Sequence, residues 1–309
     1  MSDLFEQRLS NFADEGELCA FNLAAVAEAL DVIAELNEQN VGGETVEVRV
    51  GEFKSWDPEI FKVDRDCEDR FIERLTQSGR RVTLLSEEAG RKEINPDAAG
   101  PHFYCVADPF DGSYLFKRGI PDFWYSSLAF YNDDLSPACC AVGDGVHRKI
   151  AFANADGAFI ADLDGPRLVH KFKLDASYRK AMGRVAPQSL EGASIESYAL
   201  KPTKYLLPLV DQFRDLLAPF KFFLPNGGPY GFVDVAEGKI DCYFAVRQPY
   251  VDIFSGIQVA QAAEVVVTDF DGNEVRCGDD PETVHDVVAS ANPALHDEVL
   301  KMIAKCRQG

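Results

Sequence analysis

The segment that most constrains the fold of this chain is a β-rich run that ends in two closely spaced aspartates. Residues 102–107 read His-Phe-Tyr-Cys-Val-Ala and lead into Asp-Pro-Phe-Asp-Gly-Ser at positions 108–113. Proline disfavours a helical conformation at the preceding residue and has no N–H group, so the chain should leave the strand in a fixed bend. The pattern predicts a buried strand that ends at Ala107 and aims two carboxylates in one direction.

A second short run, residues 82–86, ends in the same way at Glu87 and Glu88. The glycine at position 112 permits close backbone approach, and a helix that began at Gly112 and Ser113 would offer free amide groups to an anion. The Ser113 hydroxyl could in addition hydrogen-bond a water molecule. We therefore expect carboxylates and amide groups to face each other across a phosphate site.

The hydrophobic pattern of the whole chain predicts an α+β protein. Apolar residues recur at helical spacing over 17–37 and 63–75, and strands separated by turn residues follow between 125 and 163, which predicts an antiparallel sheet. A polar stretch at about 164–192 is the candidate boundary. Beyond it, five short strands alternate with four helical segments, at about 203–217, 229–237, 252–263 and 294–306. We expect one compact unit, 1–309, with a first half, 1–165, and an α/β-layered second half, 166–309.

Charge limits the classes of partner. The 31 basic and 51 acidic residues give a formal charge of −20, which disfavours nucleic acid because its phosphates would be repelled. An anionic metabolite would also be repelled unless bound cations converted a carboxylate cluster into a binding site. No stretch approaches the roughly 18 uncharged apolar residues that a membrane span needs, so we expect a cytoplasmic protein without a membrane partner.

The eight cysteines are dispersed and form no C-x-x-C pair, which indicates reduced and mostly buried thiols. Cys139 and Cys140 are adjacent and could form a redox device. Neighbours in a strand point to opposite faces, however, which argues against that role.

Taken together, these elements resemble the lithium-sensitive, magnesium-dependent phosphatases of the inositol monophosphatase and fructose-1,6-bisphosphatase superfamily. Positions 108–113 match the D-P-x-D-G-[ST] motif, and Glu87 matches the first metal-binding glutamate. Lys54-Ser55, residues 63–68 and residues 250–256 resemble the K-S, T-D-x-x-x-E and W-D-x-A-A-G elements, in the same order, and the similarity extends from about residue 20 to residue 293. The resemblance implies a layered αβαβα sandwich that forms a single catalytic unit.

The resemblance also implies a site for two or three magnesium ions. The ligands would be one backbone carbonyl and four carboxylates: those of Phe110, Glu87, Asp108, Asp111 and Asp252. Asp252 would close the site from the second half. Oxygen donors of this kind suit a hard cation.

The catalytic roles carried over from the family involve a water molecule and no covalent phosphoenzyme. Ser113, supported by Asp64 or Glu87, would orient the attacking water and help to deprotonate it, and the amides of Gly112 and Ser113 would hold the phosphoryl oxygens. We therefore expect a magnesium-dependent phosphomonoesterase, acting on a polyol, sugar or nucleotide phosphate. Relatives commonly form homodimers, so we expect the same assembly here.

Substrate specificity departs from the inositol enzymes. Ala245 stands seven residues before Asp252, where those enzymes have a glutamate that binds substrate hydroxyls, and Val251 replaces the usual tryptophan. Arg247 lies near the same wall and could bind a second phosphate or carboxylate, or it could be a surface residue. Lys54 could likewise contact phosphate or be exposed.

Two other classes of function remain open. Residues 265–273 resemble the D-x-D-G signature of the haloacid dehalogenase superfamily, with Asp269 as nucleophile and Asp271 beside it. Only 38 residues (272–309) follow Asp271, too few for the rest of that machinery in its usual order, and a turn explains the segment better. The second alternative is a non-catalytic, metal- and phosphate-dependent binding or regulatory protein with the same fold.

Overall fold

The structure of this chain is a computed structural model that describes residues 2–49 and 58–308. Within these ranges the strands are β1 (Thr45–Val48), β2 (Glu59–Phe61), β3 (Arg81–Ser86), β4 (Gly90–Ile94), β5 (His102–Asp111), β6 (Tyr125–Asn132), β7 (Pro137–Asp144), β8 (Lys149–Asn154), β9 (Gly157–Asp164), β10 (Arg167–Lys173), β11 (Ser194–Glu196), β12 (Phe222–Leu224), β13 (Cys242–Pro249), β14 (Val266–Asp269) and β15 (Val284–Ser290). The α-helices in the same ranges are α1 (Ser2–Asn11), α2 (Glu17–Glu38), α3 (Lys62–Gln77), α4 (Ser113–Lys117), α5 (Ala176–Ala181), α6 (Leu207–Leu217), α7 (Pro229–Glu237), α8 (Phe254–Ala262) and α9 (Pro293–Gln308).

Two large sheets organise the described part of the chain. The first has eight strands in the order β10-β9-β8-β7-β6-β5-β3-β4, and its neighbours are antiparallel except for the parallel pair β3 and β5. The second has five strands in the order β12-β11-β13-β15-β14, with β11 parallel to both of its neighbours. A separate antiparallel pair, β1 and β2, lies ahead of α3.

Three hydrophobic clusters separate the layers. Helices α1 to α3 pack on one face of the eight-stranded sheet, and α7 and α8 fill the space between its other face and the five-stranded sheet. Helices α6 and α9 cover the outer face of the five-stranded sheet. The order of layers is therefore helix, sheet, helix, sheet, helix, which confirms the predicted αβαβα sandwich.

The predicted boundary at residue 165 would separate β10 from the eight-stranded sheet to which it belongs. Strand β10 pairs antiparallel with β9, so the eight-stranded sheet extends to Lys173. Five of its seven residues are exposed and three are lysine or arginine, as is common for an edge strand, and its sequence therefore shows no buried face. The division into two halves remains a prediction, and its boundary would lie after Lys173.

The adjacent cysteines occupy opposite faces of β7. Cys139 belongs to the cluster beneath α2, whereas Cys140 belongs to the cluster beneath α7 and α8. All eight thiols are free, and six of them are buried. The geometry therefore gives no support to a disulfide between these two neighbours.

Helices α2 and α3 are joined by a buried ion pair. Arg74 donates from Nε and Nη2 to the two carboxylate oxygens of Glu28, at 2.6 and 2.7 Å, and the two residues are only 5% and 3% exposed. The two side chains therefore form a bidentate ion pair in which each group neutralises the charge of the other.

We predict that Glu28→Ala destabilises the protein by about 3 kcal/mol or more, because it leaves a buried guanidinium without its counter-charge. Urea unfolding followed by circular dichroism measures the change. The exposed pair of Arg276 and Glu274 is the control, and Glu274→Ala should change the unfolding free energy by less than about 1 kcal/mol. Equal effects of the two variants would contradict the prediction.

Candidate active site

The parallel pairing of β3 with β5 places two acidic residues at one edge of the sheet. Ser86 lies opposite Ala107 in the register, so Glu87 and Asp108 are the next residues of the two strands. The Glu87 N–H donates to the Ala107 carbonyl at 3.2 Å, which continues the pairing past the end of β3. Carboxyl ends of parallel strands meet at the same edge of a sheet, and the two side chains emerge there together.

A third acidic residue reaches this edge from far along the chain. Asp252 lies on a single 3-10 turn, Tyr250–Asp252, between β13 and α8. One carboxylate oxygen each from Glu87, Asp108 and Asp252 lies within 4.8 Å of the other two. Asp108 is buried, with 1% exposure, whereas Glu87 and Asp252 are half-buried. Three acids separated by up to 165 positions (252 − 87) therefore converge on one point.

A bulge carries the chain through the two aspartates. Strand β5 continues to Asp111 rather than ending at Ala107 as expected, and its register with β6 shifts between Asp108 and Asp111. Three steps on β5 match two on β6, so one residue is inserted where Pro109 cannot donate to the ladder. The bulge turns the chain enough for Asp111 to contact Gly228, at the start of α7.

Gly112 is required by the geometry of the turn into α4. Its φ is +105°, and a Cβ atom built there would lie 2.0 Å from the Phe123 carbonyl oxygen. Helix α4 then begins at Ser113, with Gly112 as the residue before it. The role of the Gly112 and Ser113 amides in binding phosphate remains a prediction.

Ser113 and Asp64 form a hydrogen-bonded pair next to the acidic residues. Ser113 Oγ donates to Asp64 Oδ1 at 2.5 Å and lies 3.4 Å from the Phe110 carbonyl oxygen. Asp64 Oδ2 accepts the N–H of Phe61 at 2.8 Å, and Asp64 is only 2% exposed. Both oxygens of this carboxylate are thus fixed, and the serine hydroxyl is held on a rigid support.

Arg49, which no sequence pattern marked as functional, holds the turn that carries Glu87. Its Nη2 donates to the Glu87 carbonyl at 3.1 Å and forms an ion pair with the Glu88 carboxylate. Nearby, Ser86 donates to Glu68, whose pKa is raised because burial disfavours the charged form. Glu68 and Glu88 therefore support the loop around Glu87.

The remaining predicted site residues do not join this group in the same way. Lys54 lies outside the described residues. Arg247 is exposed on a bulge of β13, where its N–H donates to Asp286 at 2.8 Å, and its contact with substrate remains a prediction.

Asp269 closes a turn after β14. Its Oδ1 accepts the N–H groups of Asp271 and Asn273 at 2.9 and 2.8 Å, and the exposed Asp271 pairs with Arg307. Burial opposes ionisation of Asp269, but hydrogen bonds from Asn273 and the turn amides outweigh it and lower the pKa of Asp269. The segment has the geometry of a turn, as expected.

The donor set fits a hard divalent cation. All three converging groups are carboxylates, and together with Asp111 and the Phe110 carbonyl they would supply only oxygen ligands. Carboxylates held this close repel each other unless a proton or a cation lies between them. Among the described residues, this is the one group of three or more acidic, histidine or cysteine side chains with that spacing.

Comparison with known proteins identifies the family. Residues 14–308 match the model of the inositol monophosphatase family, and the chain belongs to that family. The chain is 25% identical over 246 residues to a fructose-1,6-bisphosphatase/inositol-1-monophosphatase of Methanothermobacter thermautotrophicus, with 78% of this chain and 82% of that protein covered. It is also 25% identical over 256 residues to the Nus factor SuhB of Pasteurella multocida, with coverage of 82% and 85%.

Solved structures agree on the fold. An IMPase/NADP phosphatase complexed with Mg²⁺ and phosphate superposes with a TM-score of 0.62 at 20% identity, and the match covers 89% of this chain and 90% of that one. The family and the enzyme names among the relatives support a phosphatase of this superfamily. Among the described residues, no helix combines the length and the apolar character needed to cross a membrane.

We predict that Gly112→Ala destabilises the protein by about 2 kcal/mol or more, because the added methyl group meets the Phe123 carbonyl and the backbone is strained at positive φ. Thermal unfolding measures the loss. The control is Gly100→Ala, since Gly100 has a similar φ of +115° and open space around its Cβ position. Equal losses in the two variants would mean that backbone strain alone explains the glycine.

Proposed function

We propose that this chain is a magnesium-dependent phosphomonoesterase that hydrolyses a small phosphorylated metabolite by attack of water. The observation that carries the proposal is the convergence of Glu87, Asp108 and Asp252, with carboxylate oxygens within 4.8 Å of one another. Bringing three acids together in a chain with a net charge of −20 is electrostatically costly, and a bound cation would offset that cost. The complex of one structural neighbour with Mg²⁺ and phosphate also supports the proposal.

The ligands in this proposal are Glu87, Asp108, Asp111, Asp252 and the Phe110 carbonyl. Bound magnesium would supply Lewis-acid activation of water and of the phosphoryl group. The two halves would then form a single catalytic unit, because Asp252 joins the site from the second half.

The protein groups act around the water and the phosphate. Ser113 would hold the attacking water through its hydroxyl, which Asp64 fixes by accepting its hydrogen bond. As the water attacks, its proton would pass to Ser113 Oγ while the hydroxyl proton passes to Asp64, so the serine stays neutral. The amides of Gly112 and Ser113 would hold phosphoryl oxygens at the start of α4. Because these groups are positioned before substrate binds, they stabilise the charge that spreads over the phosphoryl oxygens in the transition state.

The substrate class is a small phosphate ester of a polyol, sugar or nucleotide. Ala245 is fully buried and offers no carboxylate to substrate hydroxyls, which weakens the case for inositol phosphates. A homodimer and a cytoplasmic location stay predictions from the resemblance and the composition.

The regulatory alternative rests on the relative that is named Nus factor SuhB. The hydrogen-bonded Ser113 and Asp64 favour turnover, since a binding protein has no need of a serine hydroxyl held in this way. Phosphate release from a panel that includes inositol 1-phosphate, fructose 1,6-bisphosphate and adenosine 3′,5′-bisphosphate distinguishes the enzyme from the binding protein. Release of phosphate that requires Mg²⁺ supports the enzyme, and no release from any ester of a broad panel supports the binding protein.

We predict that Asp108→Asn lowers kcat by about three orders of magnitude, since metal activation contributes several kcal/mol to the transition state. Phosphate release with saturating Mg²⁺ measures this, and thermal unfolding should show an intact fold. Asp269→Asn is the matched control and should keep full activity. Loss of activity in the control, or a trapped phosphoaspartate at Asp269, would instead favour the haloacid dehalogenase mechanism.

Replacing Ser113 separates its hydroxyl from its size. We expect Ser113→Ala to lower kcat by about a hundredfold, the usual scale for a lost proton-transfer contact, while KM changes little. Ser113→Thr keeps the hydroxyl and should retain most of the activity. If alanine and threonine had the same effect, the hydroxyl would have no part in the reaction.

A further inference from the structure

Gly228 lies directly against one of the proposed ligands. It is the residue before α7, with φ +66° and ψ −158°, a combination that is open almost only to glycine. A Cβ atom built on Gly228 would lie 2.1 Å from Asp111 Oδ2 and 3.3 Å from Asp111 Cγ. The Asp111 carboxylate therefore occupies the space that any side chain at position 228 would fill.

A second glycine holds the start of α7 next to the start of α8. A Cβ atom at Gly256 would lie 2.3 Å from the Pro229 carbonyl oxygen and 2.7 Å from Phe232 Cδ2. Gly256 lies four residues after Asp252, and Pro229 directly follows Gly228. The two helix starts therefore approach at backbone distance, one beside Asp111 and the other just after Asp252.

We infer that Gly228 is a positioning residue for Asp111. Its missing side chain lets the start of α7 pack onto the carboxylate, and this contact fixes the orientation of Asp111 relative to Asp252. The inference rests on the proposed function, because it takes Asp111 as a ligand. It adds that the second half of the chain both supplies Asp252 and sets the orientation of a ligand from the first half.

A purely structural role for Gly228 makes a different prediction. If glycine were needed only for its positive φ, alanine would lower stability by the same amount whatever residue stands at position 111. If alanine acts by displacing the Asp111 carboxylate, its effect on metal binding should disappear once that carboxylate is removed. A double-mutant cycle with Asp111→Ala measures this coupling directly.

The experiment measures Mg²⁺ binding without substrate, by calorimetry and by the Mg²⁺-induced rise in Tm. We expect Gly228→Ala to weaken Mg²⁺ binding by about tenfold or more, the scale seen when a group that orients a ligand is lost. In the Asp111→Ala background the same substitution should cause no further loss. Gly79→Ala is the control for a side chain added at a similar positive φ, +65°, with open space around the Cβ position, and it should leave Mg²⁺ affinity unchanged.

The outcomes separate the two proposals. Unchanged Mg²⁺ affinity in Gly228→Ala, or an equal loss in the Asp111→Ala background, overturns the role of Gly228 while the proposed function stands. An unmodified chain with neither a Mg²⁺-induced rise in Tm nor Mg²⁺-dependent hydrolysis overturns the proposed function. If Gly228→Ala fails to fold, recovery of folding in the double variant supports the displaced carboxylate, and failure of the double variant as well overturns it.

Discussion

The main physical constraint on this structure is the mutual repulsion of three carboxylates that the fold brings to one point. Two unit charges about 5 Å apart at an effective dielectric constant of about 20 repel by roughly 3 kcal/mol, and one carboxylate oxygen each from Glu87, Asp108 and Asp252 lies within 4.8 Å of the other two. A repulsion of this size is a large fraction of the stability of a typical domain, about 5–15 kcal/mol. The pairing of β3 with β5 and the packing of α8 hold the three acids together, and a bound cation would reduce their repulsion.

The three acids are held in place by different parts of the fold. The eight-stranded sheet fixes the backbones of Glu87 and Asp108 through the pairing of β3 with β5, which the hydrogen bond from the Glu87 N–H to the Ala107 carbonyl continues. Asp252 depends instead on the packing of α7 and α8 between the sheets, where Gly256 permits backbone contact with Pro229. A site shared in this way keeps its geometry only while both sheets are packed onto the same pair of helices.

The sequence predicted the local elements well and the distant contacts poorly. The period of α2 and the β-rich runs of β3 and β5 are set by residues close in the chain, so a pattern could find them. By contrast, β10 was missed because an exposed edge strand has no apolar face, and the bulge at Pro109 because its register is fixed by pairing with β6. The proximity of Asp252 to Glu87 followed from the resemblance alone. Arg49 and Gly228 gave no local signal, since their contacts are made across the fold.

Asp64 illustrates why a structural and a catalytic interpretation of one residue can both hold. It is the third residue of α3, and one of its oxygens accepts the N–H of Phe61 in the manner of a helix cap. Helix capping alone therefore is a sufficient explanation for an acidic residue in the first turn of α3. The cap, however, uses only Oδ2, and by fixing the side chain it directs Oδ1 to Ser113. The helix start thus provides the rigidity that the proposed proton acceptor needs, and the structural role and the proposed catalytic role of Asp64 depend on the same conformation.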